Sequence, residues 1–574
     1  MKNIQISIIT LIAIFLVSCN DDYLERTPKD QISNSSFWKT ESDLEAYCNG
    51  LYPMLPEIPG TNGVADDNSD DFIPFSLNLY GIGMNVIPTN ANEDGGWKWE
   101  NVRACNVFMD NYKSADCSDD LKNQYRGEVC FFRAYSYFVK VKKYGEVPWM
   151  DHELQTNDPL LYAAKSPRDT VVAHIMKDLD FAIAHCKNKE NANYRISREI
   201  ALALKARIAL HEGTFRKYHG LGGADDFLNE AANASDILIN EGKYNLYSTG
   251  NPGNDYFSLF SKDNAYDTPE CILARQYTSS LKMHGVTHNL INSSGAGTGV
   301  SKAMFDSYLG RDGRPMSQTR ANYEEEDYYT QIKNRDPRMS QIIGVPGFVW
   351  SKNWWEGDGL KLGDPIVGKI AKGSSTGYGP FKYLVLDDWD GQVGHSSKND
   401  YLILRFAEML LINAEAKAEL GQCTQDVIDR TINRIRDRVG MPHMVIAGLV
   451  KDMKSEFAQA GIQLPVLIEE IRRERRVELL GEGFRYDDIM RWKAGKLFLL
   501  KSTVLGAKAK TIGSLASQIA TGDIKVNSDG YIEPYQQALP NGRQFDETKN
   551  YYWPIPTDEL ALNPNLTQSP GWEN

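Results

Sequence analysis

Residues 471–492 read IRRERRVELLGEGFRYDDIMRW, and this stretch determines how the rest of the chain is interpreted. Glu474 and Glu478 stand four apart, a spacing that places both side chains on one face of a helix. The surrounding arginines are 472, 473, 475, 476, 485 and 491. A neighbouring guanidinium lowers the pKa of a carboxyl group, whereas a general acid needs a raised one. The pair therefore predicts buried ion-pair scaffolding rather than a glycosidase carboxylate couple.

Helical periodicity extends outward from this stretch in both directions. The predicted helices cover residues 40–55, 100–112, 118–144, 167–186, 198–212, 225–241, 400–420, 425–438 and 465–494. Ser118 and Asp400 are predicted N-caps, and Ser166 to Asp169 match a capping box with proline at the first helical position. Alanine-rich faces at regular spacing favour a mainly α fold, a tetratricopeptide-like right-handed superhelix. Residues 242–399 predict long loops with a few short strands.

The N-terminus carries a lipoprotein signal. Residues 1–18 contain Lys2, an apolar run too short to span a bilayer, and small residues leading into Cys19. We expect cleavage before Cys19 and attachment of lipid, including an acyl chain such as palmitate, to the new terminus. Residues 19–35 would form the lipidated tether, and Asp21 and Asp22 resemble the signal for display on the cell surface.

Composition limits the classes of partner. The 574 residues carry a formal net charge of −13, which disfavours nucleic acid. Beyond Cys19 there are seven cysteines, an odd number without a CxxC pair, so at least one has no partner within the chain. We interpret most of them as small buried hydrophobic residues and leave their disulfide status open.

The C-terminal stretch resembles the signature of the SusD/RagB family of outer-membrane nutrient-binding lipoproteins. Similar blocks occur in family order along the whole mature chain. They are FFRAYSYF (131–138), YGEVP (144–148), ALKAR (203–207), DPR (336–338), RFAE (405–408), NAEA (413–416), NRIRDR (433–438), WPIP (553–556) and NPNL (563–566). One departure is Gln568 to Gly571, where the family usually has asparagine before proline.

The resemblance implies a single SusD-like domain over residues 36–574, with helical parts at 36–241 and 400–574 and a ligand-facing part at 242–399. It also implies a binder rather than an enzyme, without cofactor or metal. Such a protein captures an oligosaccharide and passes it to a TonB-dependent outer-membrane transporter of the SusC type. The alternatives are a peptide-binding RagB-like importer subunit and, less favoured, a surface glycoside hydrolase. The sequence does not identify the glycan.

Other motifs do not support catalysis or metal binding. His284 and His288 are four apart but lack an HExxH glutamate, and GAGTG at 295–299 misses the GxGxxG spacing. Asp66, Asn68 and Asp70 match three positions of a calcium loop, but Asp71 replaces its glycine. We therefore favour a solvated acidic loop over a calcium site and leave calcium open.

Sugar sites combine an aromatic ring, which stacks on the C–H face of a pyranose, with amide or charged groups for its hydroxyls. Three loops have this composition: residues 90–99, the glycine-rich loop near residue 295, and residues 350–358. The predicted ligand contacts are Asn92, Trp97, Asn292, Trp354, Trp355 and Tyr378. Trp99 is expected to be the buried aromatic at a helix start, Asp94 lies near Trp97 with Asn92, and Tyr378 and Trp389 are weaker candidates than the other rings.

Overall fold

The structure, a computed structural model, describes residues 37–59, 63–92, 96–292, 297–351, 359–387 and 389–573. The expectations for the signal, Cys19 and the tether therefore lie outside the described residues. Within them, helices dominate and the strands are short, which confirms the mainly α fold class. No helix in these ranges is long and apolar enough to cross a membrane.

Among the described residues the helices and strands follow one another without a large sheet. The longer helices are α1 (Glu41–Asn49), α2 (Glu100–Asn111), α3 (Asp119–Tyr144), α4 (Arg168–His185), α5 (Arg198–His219) and α6 (Ala224–Asn240). The middle of the chain contains α7 (Asp255–Phe260), α8 (Val286–Ile291), α9 (Lys302–Ser307), α10 (Met316–Thr319), α11 (Tyr328–Gln331), α12 (Pro337–Ile342) and α13 (Trp389–Gly394). The last part contains α14 (Phe406–Glu419), α15 (Gln425–Arg430), α16 (Ile432–Arg438), α17 (Glu456–Gln459), α18 (Val466–Glu478), α19 (Arg485–Arg491), α20 (Ala516–Thr521) and α21 (Thr557–Leu562).

In the part of the chain that the structure describes, four antiparallel two-stranded pairs accompany the helices. The strands are β1 (Phe72–Ile73), β2 (Cys271–Arg275), β3 (Gly299–Val300), β4 (Ile343–Gly344), β5 (Val349–Ser351), β6 (Leu360–Lys361), β7 (Gly379–Pro380) and β8 (Tyr401–Arg405). They pair as β1 with β3, β2 with β8, β4 with β7 and β5 with β6. Each pair joins segments of the loop-rich middle to one another or to a flanking helical part.

Consecutive N-terminal helices pack against each other, and the sequence shows why. The Ser118 hydroxyl caps α3 and Ser197 caps α5, each by accepting the N–H of the third residue of the first turn. At Gly213 a Cβ atom would lie 2.8 Å from Leu228 of α6, so only glycine permits this close approach of α5 and α6. These helices share one hydrophobic core with α14 and part of α18.

Several predicted boundaries were wrong. Residues 401–405 form strand β8, and Asp400 is not a helix cap but a buried carboxylate that accepts the N–H groups of Tyr266 and Tyr277. Burial raises the pKa of Asp400 to about 6. The expected capping box at Ser166 is also absent, because its hydroxyl accepts the N–H of Trp149 instead.

The long helix predicted for residues 465–494 is two helices. α18 ends at Glu478, and α19 begins at Arg485. Gly481 and Gly483 between them have φ angles of 80° and 86°, a left-handed conformation that ends a helix. The predicted helix over 425–438 is likewise divided at Thr431, whose φ and ψ of −124° and −87° are not helical.

Candidate functional site

Glu474 and Glu478 lie in a buried cluster of ion pairs. We call it the arginine cluster, and its members are Glu270, Arg338, Arg405, Arg436, Arg438, Glu474 and Glu478. Glu478 lies 3.1 Å from Arg338, 2.8 Å from Arg405 and 2.7 Å from Arg438. These guanidinium groups hold the pKa of Glu478 far below its usual range despite complete burial. The predicted scaffolding role is therefore supported for this carboxylate.

Glu474 has similar surroundings. One of its oxygens lies 2.7 Å from Arg338, and the other accepts a hydrogen bond from Arg436 at 2.9 Å. Its side chain is 1% exposed, so no substrate reaches it. A carboxylate without access to solvent cannot protonate or attack a glycosidic bond.

The predicted solvated acidic loop at residues 66–71 is wrong. Asp66, Asp70 and Asp71 are each at most 1% exposed. Asp70 lies 2.7 Å from Arg485, and Asp71 lies 2.7 Å from Arg476, so the loop joins α18 and α19 through ion pairs. No group of three or more metal-ligating side chains capable of holding an ion occurs among the described residues.

Asp66 differs from Asp70 and Asp71, whose carboxylates pair with guanidinium groups. Its carboxyl group accepts the backbone N–H groups of Gly483, at 3.0 Å, and Arg485, at 3.1 Å. Burial, followed by the charge of Asp71, raises the pKa of Asp66 to about 8. Asp66 thus holds the glycine turn between α18 and α19 by hydrogen bonds to the backbone.

Trp97 does not face a ligand as predicted. Its ring is 3% exposed and packs edge-on against Tyr144, with the ring centres 4.7 Å apart. Trp99, expected to be the buried residue, is half-buried and has the Lys140 ammonium 4.4 Å from its ring centre. Trp97 is therefore the buried ring and Trp99 the partly exposed one, the reverse of the prediction, because Trp97 turns inward before α2 begins.

Tyr378 is also buried, at 1% exposure, and stacks on Phe305 with ring centres 4.2 Å apart. Asn92 is exposed, and the side-chain amide of Asn292 donates to the carbonyl of His288 at 3.0 Å. Trp354 and Trp355 lie outside the described residues, as does the side chain of Trp389. The rings of Trp97 and Tyr378 thus lack the exposed face that their predicted role required, whereas the roles of the other residues remain predictions.

The structure assembles aromatic rings and cations at another place, which we call the loop platform: Phe75, Trp350, Lys369 and Lys372. Phe75 follows β1, and its ring lies against Gly297, where a Cβ atom would come within 3.1 Å. The Lys369 ammonium lies 5.3 Å from the centre of the Phe75 ring. The Lys372 ammonium lies 3.9 Å from the centre of the Trp350 ring. One short loop therefore places a cation at each of two separate aromatic rings.

Hydrogen bonds hold this loop in place. The Gly368 N–H donates to the carbonyl of Ser374 at 3.1 Å, and the Gly373 N–H donates to the carbonyl of Ile370 at 2.8 Å. Ser375 donates its N–H to the carbonyl of Gly297, at 3.1 Å, and its hydroxyl bonds to the carbonyl of Ile73. Both rings of the platform are half-buried, so each side chain is anchored and still reached by solvent.

The sequence contained only part of this site. Trp350 begins the aromatic stretch 350–358 that was selected by composition, although only its later tryptophans were predicted as contacts. Phe75 and Lys369 are separated by nearly 300 residues, and no local pattern indicates that they meet. Knowledge of the β1–β3 pairing, Phe72 with Val300, would have been needed to bring them together.

Two models of known protein families match this chain. A model described as the SusD family matches residues 259–572, more than half of the chain. The chain belongs to the SusD family. A second model, described as starch-binding associating with outer membrane, matches residues 22–210 of this SusD family member. The matched segments include the loop platform, the arginine cluster and both helical parts apart from the end of α5 and all of α6.

Relatives and solved structures of SusD type agree with this assignment. SusD-like protein P2 of Formosa agariphila is 23% identical, and the alignment covers 100% of both chains. A SusD-like protein of Bacteroides fragilis has a TM-score of 0.70 at 23% identity, covering 95% of this chain and 100% of that one. A structure titled as a laminarin-binding SusD-like protein has a TM-score of 0.57 at 18% identity, covering 93% and 100% of the two chains. Because the sequence identities are below 25%, the similarity to these structures establishes the fold alone.

Proposed function

We propose that this SusD family protein is a surface-exposed, lipid-anchored binder that captures an oligosaccharide and delivers it to a TonB-dependent outer-membrane transporter. The observation that carries the proposal is the loop platform, where Phe75 and Trp350 each lie beside a lysine ammonium. Aromatic rings stack on the apolar faces of sugars, and ammonium groups donate to their hydroxyls. One of the structural neighbours is described as laminarin binding, which supports this ligand class.

The proposed location rests on the N-terminal sequence together with the family. Cys19 follows a short apolar signal, and the model matching residues 22–210 is described as associating with outer membrane. Two or more lipid chains on Cys19 would give stable anchoring. A Cys19→Ala variant should leave the membrane fraction of the cells, and protease treatment of intact cells should remove the wild-type protein from their surface.

We further propose that the protein binds without catalysis. The carboxylates that most resemble a glycosidase couple, Glu474 and Glu478, are engaged by arginines and buried. Incubation of the purified protein with bound glycans should release no reducing ends. Release that persists in Glu478→Gln protein of native stability would instead indicate a hydrolase with another catalytic pair.

Affinity electrophoresis against laminarin, starch and other soluble glycans tests the ligand class. A retarded band is expected with at least one glycan, and Trp350→Ala should weaken the retardation about tenfold through loss of a ring stack worth about 1.4 kcal/mol. Tyr162→Ala is the matched control, because that ring is 56% exposed and lies outside the platform. Equal retardation of all three proteins would contradict the platform as the site.

The proposed peptide-binding alternative is examined in the same experiment by adding unstructured peptides to the panel. Binding of peptides without any glycan would replace the oligosaccharide in the proposal. The transporter partner is tested separately by copurification of a TonB-dependent barrel with tagged wild-type protein from solubilised outer membranes.

A further inference from the structure

The two lysines of the loop platform have no acidic partner in direct contact. Lys369 is exposed, and Lys372 is half-buried beside Trp350. Within the ranges that the structure describes, no carboxylate oxygen lies within 4.0 Å of either ammonium group. Each ammonium therefore carries a positive charge that no ion pair with the described chain neutralises.

The stretch that carries these lysines contains no acidic residue. Residues 365–386 include Lys369, Lys372 and Lys382 but neither aspartate nor glutamate, in a chain with 76 acidic and 63 basic residues. Lys382 is buried and pairs with Glu482. The buried lysine thus has a carboxylate partner, whereas the two lysines of the platform do not.

Two aspartates stand near the platform, and hydroxyl groups engage both. Asp364 precedes the loop in sequence and accepts hydrogen bonds from two hydroxyl groups. Asp67 accepts the hydroxyl of Thr298, the neighbour of Gly297, at 3.3 Å. Because neither aspartate pairs with a lysine of the platform, both ammonium groups remain open to an anion from solution.

The loop backbone holds Lys372 in a conformation that is unfavourable for lysine. Its φ angle is 59°, in the left-handed region that residues other than glycine rarely adopt. At Gly373 a Cβ atom would lie 2.3 Å from the carbonyl oxygen of Gly368, so only glycine permits this turn. Strained backbone of this kind is concentrated at binding sites, where the surrounding structure maintains it. The ammonium of Lys372 is thereby placed at the Trp350 ring before a ligand binds.

This arrangement favours an anion as the partner of each lysine. An ammonium group only donates hydrogen bonds, and its bonds to an anion are stronger than those to a hydroxyl group. Partial burial lowers the pKa of Lys372, because water no longer solvates the charge fully, and a ligand anion would supply the missing counter-charge. The neighbouring rings suit the apolar face of a sugar. Uronic acids, through their carboxylates, and sulfated sugars, through their sulfate esters, combine both features.

We propose that the loop platform selects an acidic oligosaccharide, whose carboxylate or sulfate groups pair with Lys369 and Lys372 while its sugar rings contact Phe75 and Trp350. This inference rests on the proposed function, because it names the ligand class of the same site. The net charge of −13 opposes nonspecific attraction of an anionic ligand, so its binding reports the local charge of the platform.

Isothermal titration tests the ligand class with tetrasaccharides of polygalacturonate, hyaluronan, chondroitin sulfate and κ-carrageenan. Each is compared with a neutral counterpart, made by carboxyl reduction, desulfation or both. At least one acidic tetrasaccharide should bind about tenfold more tightly than its neutral counterpart, and the difference should shrink from about 50 to about 500 mM NaCl because salt screens exposed charges. Polygalacturonate and hyaluronan carry only carboxylates and κ-carrageenan only sulfate, so the panel separates the two anions.

A double variant isolates the contribution of charge. Lys369→Gln with Lys372→Gln keeps hydrogen-bond donors but removes both charges, so affinity for the acidic tetrasaccharide should fall about tenfold while affinity for its neutral counterpart changes little. Lys369→Arg with Lys372→Arg keeps both charges and should retain most of the affinity. Lys113→Gln with Lys177→Gln is the matched control, because both are exposed lysines outside the platform.

Equal affinity for the acidic and neutral members of every pair would overturn the acidic ligand class. Equal losses in the glutamine double variant and its control, or no loss in either, would place the acidic ligand away from the platform and also contradict the proposal. Binding of neutral glycans alone would overturn it and leave the proposed function intact. Absence of binding to every glycan, neutral or acidic, would contradict the proposed function as well.

Discussion

In the arginine cluster, charged groups face each other at 2.7–3.1 Å and are almost fully buried, whereas in the loop platform ammonium groups lie beside rings that solvent still reaches. Both regions join distant parts of the chain. The charged groups of the cluster pair with one another and with their buried surroundings, while the platform leaves part of each ring exposed to solvent. Charged side chains therefore stabilise the fold in one region and are available for recognition in the other.

The largest expected effect comes from breaking the arginine cluster. Glu478→Ala should lower the free energy of unfolding by about 3–5 kcal/mol, because it leaves buried guanidinium groups without their shared carboxylate. Urea denaturation measures this change. Asp426→Ala is the control, since its partner Arg430 is 42% exposed and the pair should contribute less than about 1 kcal/mol. Similar losses in both variants would remove the distinction between buried and exposed charge.

Next in size is Trp97→Ala. Loss of this buried ring should cost about 3 kcal/mol through the cavity left beside Tyr144. Glycan affinity of the folded protein should remain unchanged, because the ring lies in the core. A variant with native stability and weakened glycan binding would instead return Trp97 to the ligand site.

The raised pKa of Asp66 predicts that the free energy of unfolding depends on pH. Its pKa in the folded protein is about 8, above the ordinary value of 3.8, so protonation favours the folded state. This stabilisation is complete below the unfolded pKa and is lost as the pH rises through 8. Between pH 5 and pH 8 the wild-type free energy of unfolding should fall by up to about 1.4 kcal/mol per pH unit, and the fall should level off above pH 8.

The Asp66→Asn protein isolates this contribution. Its amide can still accept a backbone N–H but does not ionise, so its stability should vary less over the same pH range. Urea denaturation of both proteins at four pH values provides the comparison. Parallel pH profiles would show that Asp66 keeps an ordinary pKa at the glycine turn.

The smallest effect is expected at the edge of the platform. Lys372→Gln removes the ammonium beside Trp350 and should weaken glycan binding two- to fivefold, equivalent to about 0.5–1 kcal/mol. Unfolding should be unaffected. Lys113→Gln, at an exposed position in the turn after α2, is the control for loss of one positive charge. Isothermal titration with the retarding glycan measures both, and equal affinities would exclude Lys372 from the contact.

The parts of the fold that depend on local interactions could be predicted from the sequence. Ser118 and Gly145 mark the ends of α3 as expected, since capping involves only neighbouring residues. The strand at residues 401–405 was missed because its partner β2 lies 130 residues earlier. The burial of Trp97 and Trp99 was predicted the wrong way round, because composition shows that a loop is polar but not which of its two rings turns inward.

The candidate site was less predictable for the same reason. Asp66, Asp70 and Asp71 look like a solvated acidic loop until Arg476 and Arg485 are placed beside them. The family resemblance identified the scaffold through its repeated blocks, but ligand loops vary within a scaffold. The positions of Phe75 and Lys369 follow from tertiary contacts alone.

The ion pairs of the acidic loop also set an order for folding. Asp70 and Arg485 are 415 residues apart, and Asp71 and Arg476 are 405 apart. As the chain is synthesised, these carboxylates emerge long before their arginines, so the domain cannot close until most of the chain is present. Such distant contacts slow folding and prolong the exposure of unpaired segments. A chain truncated before Arg476 should therefore leave the acidic loop without its guanidinium partners and open to proteases.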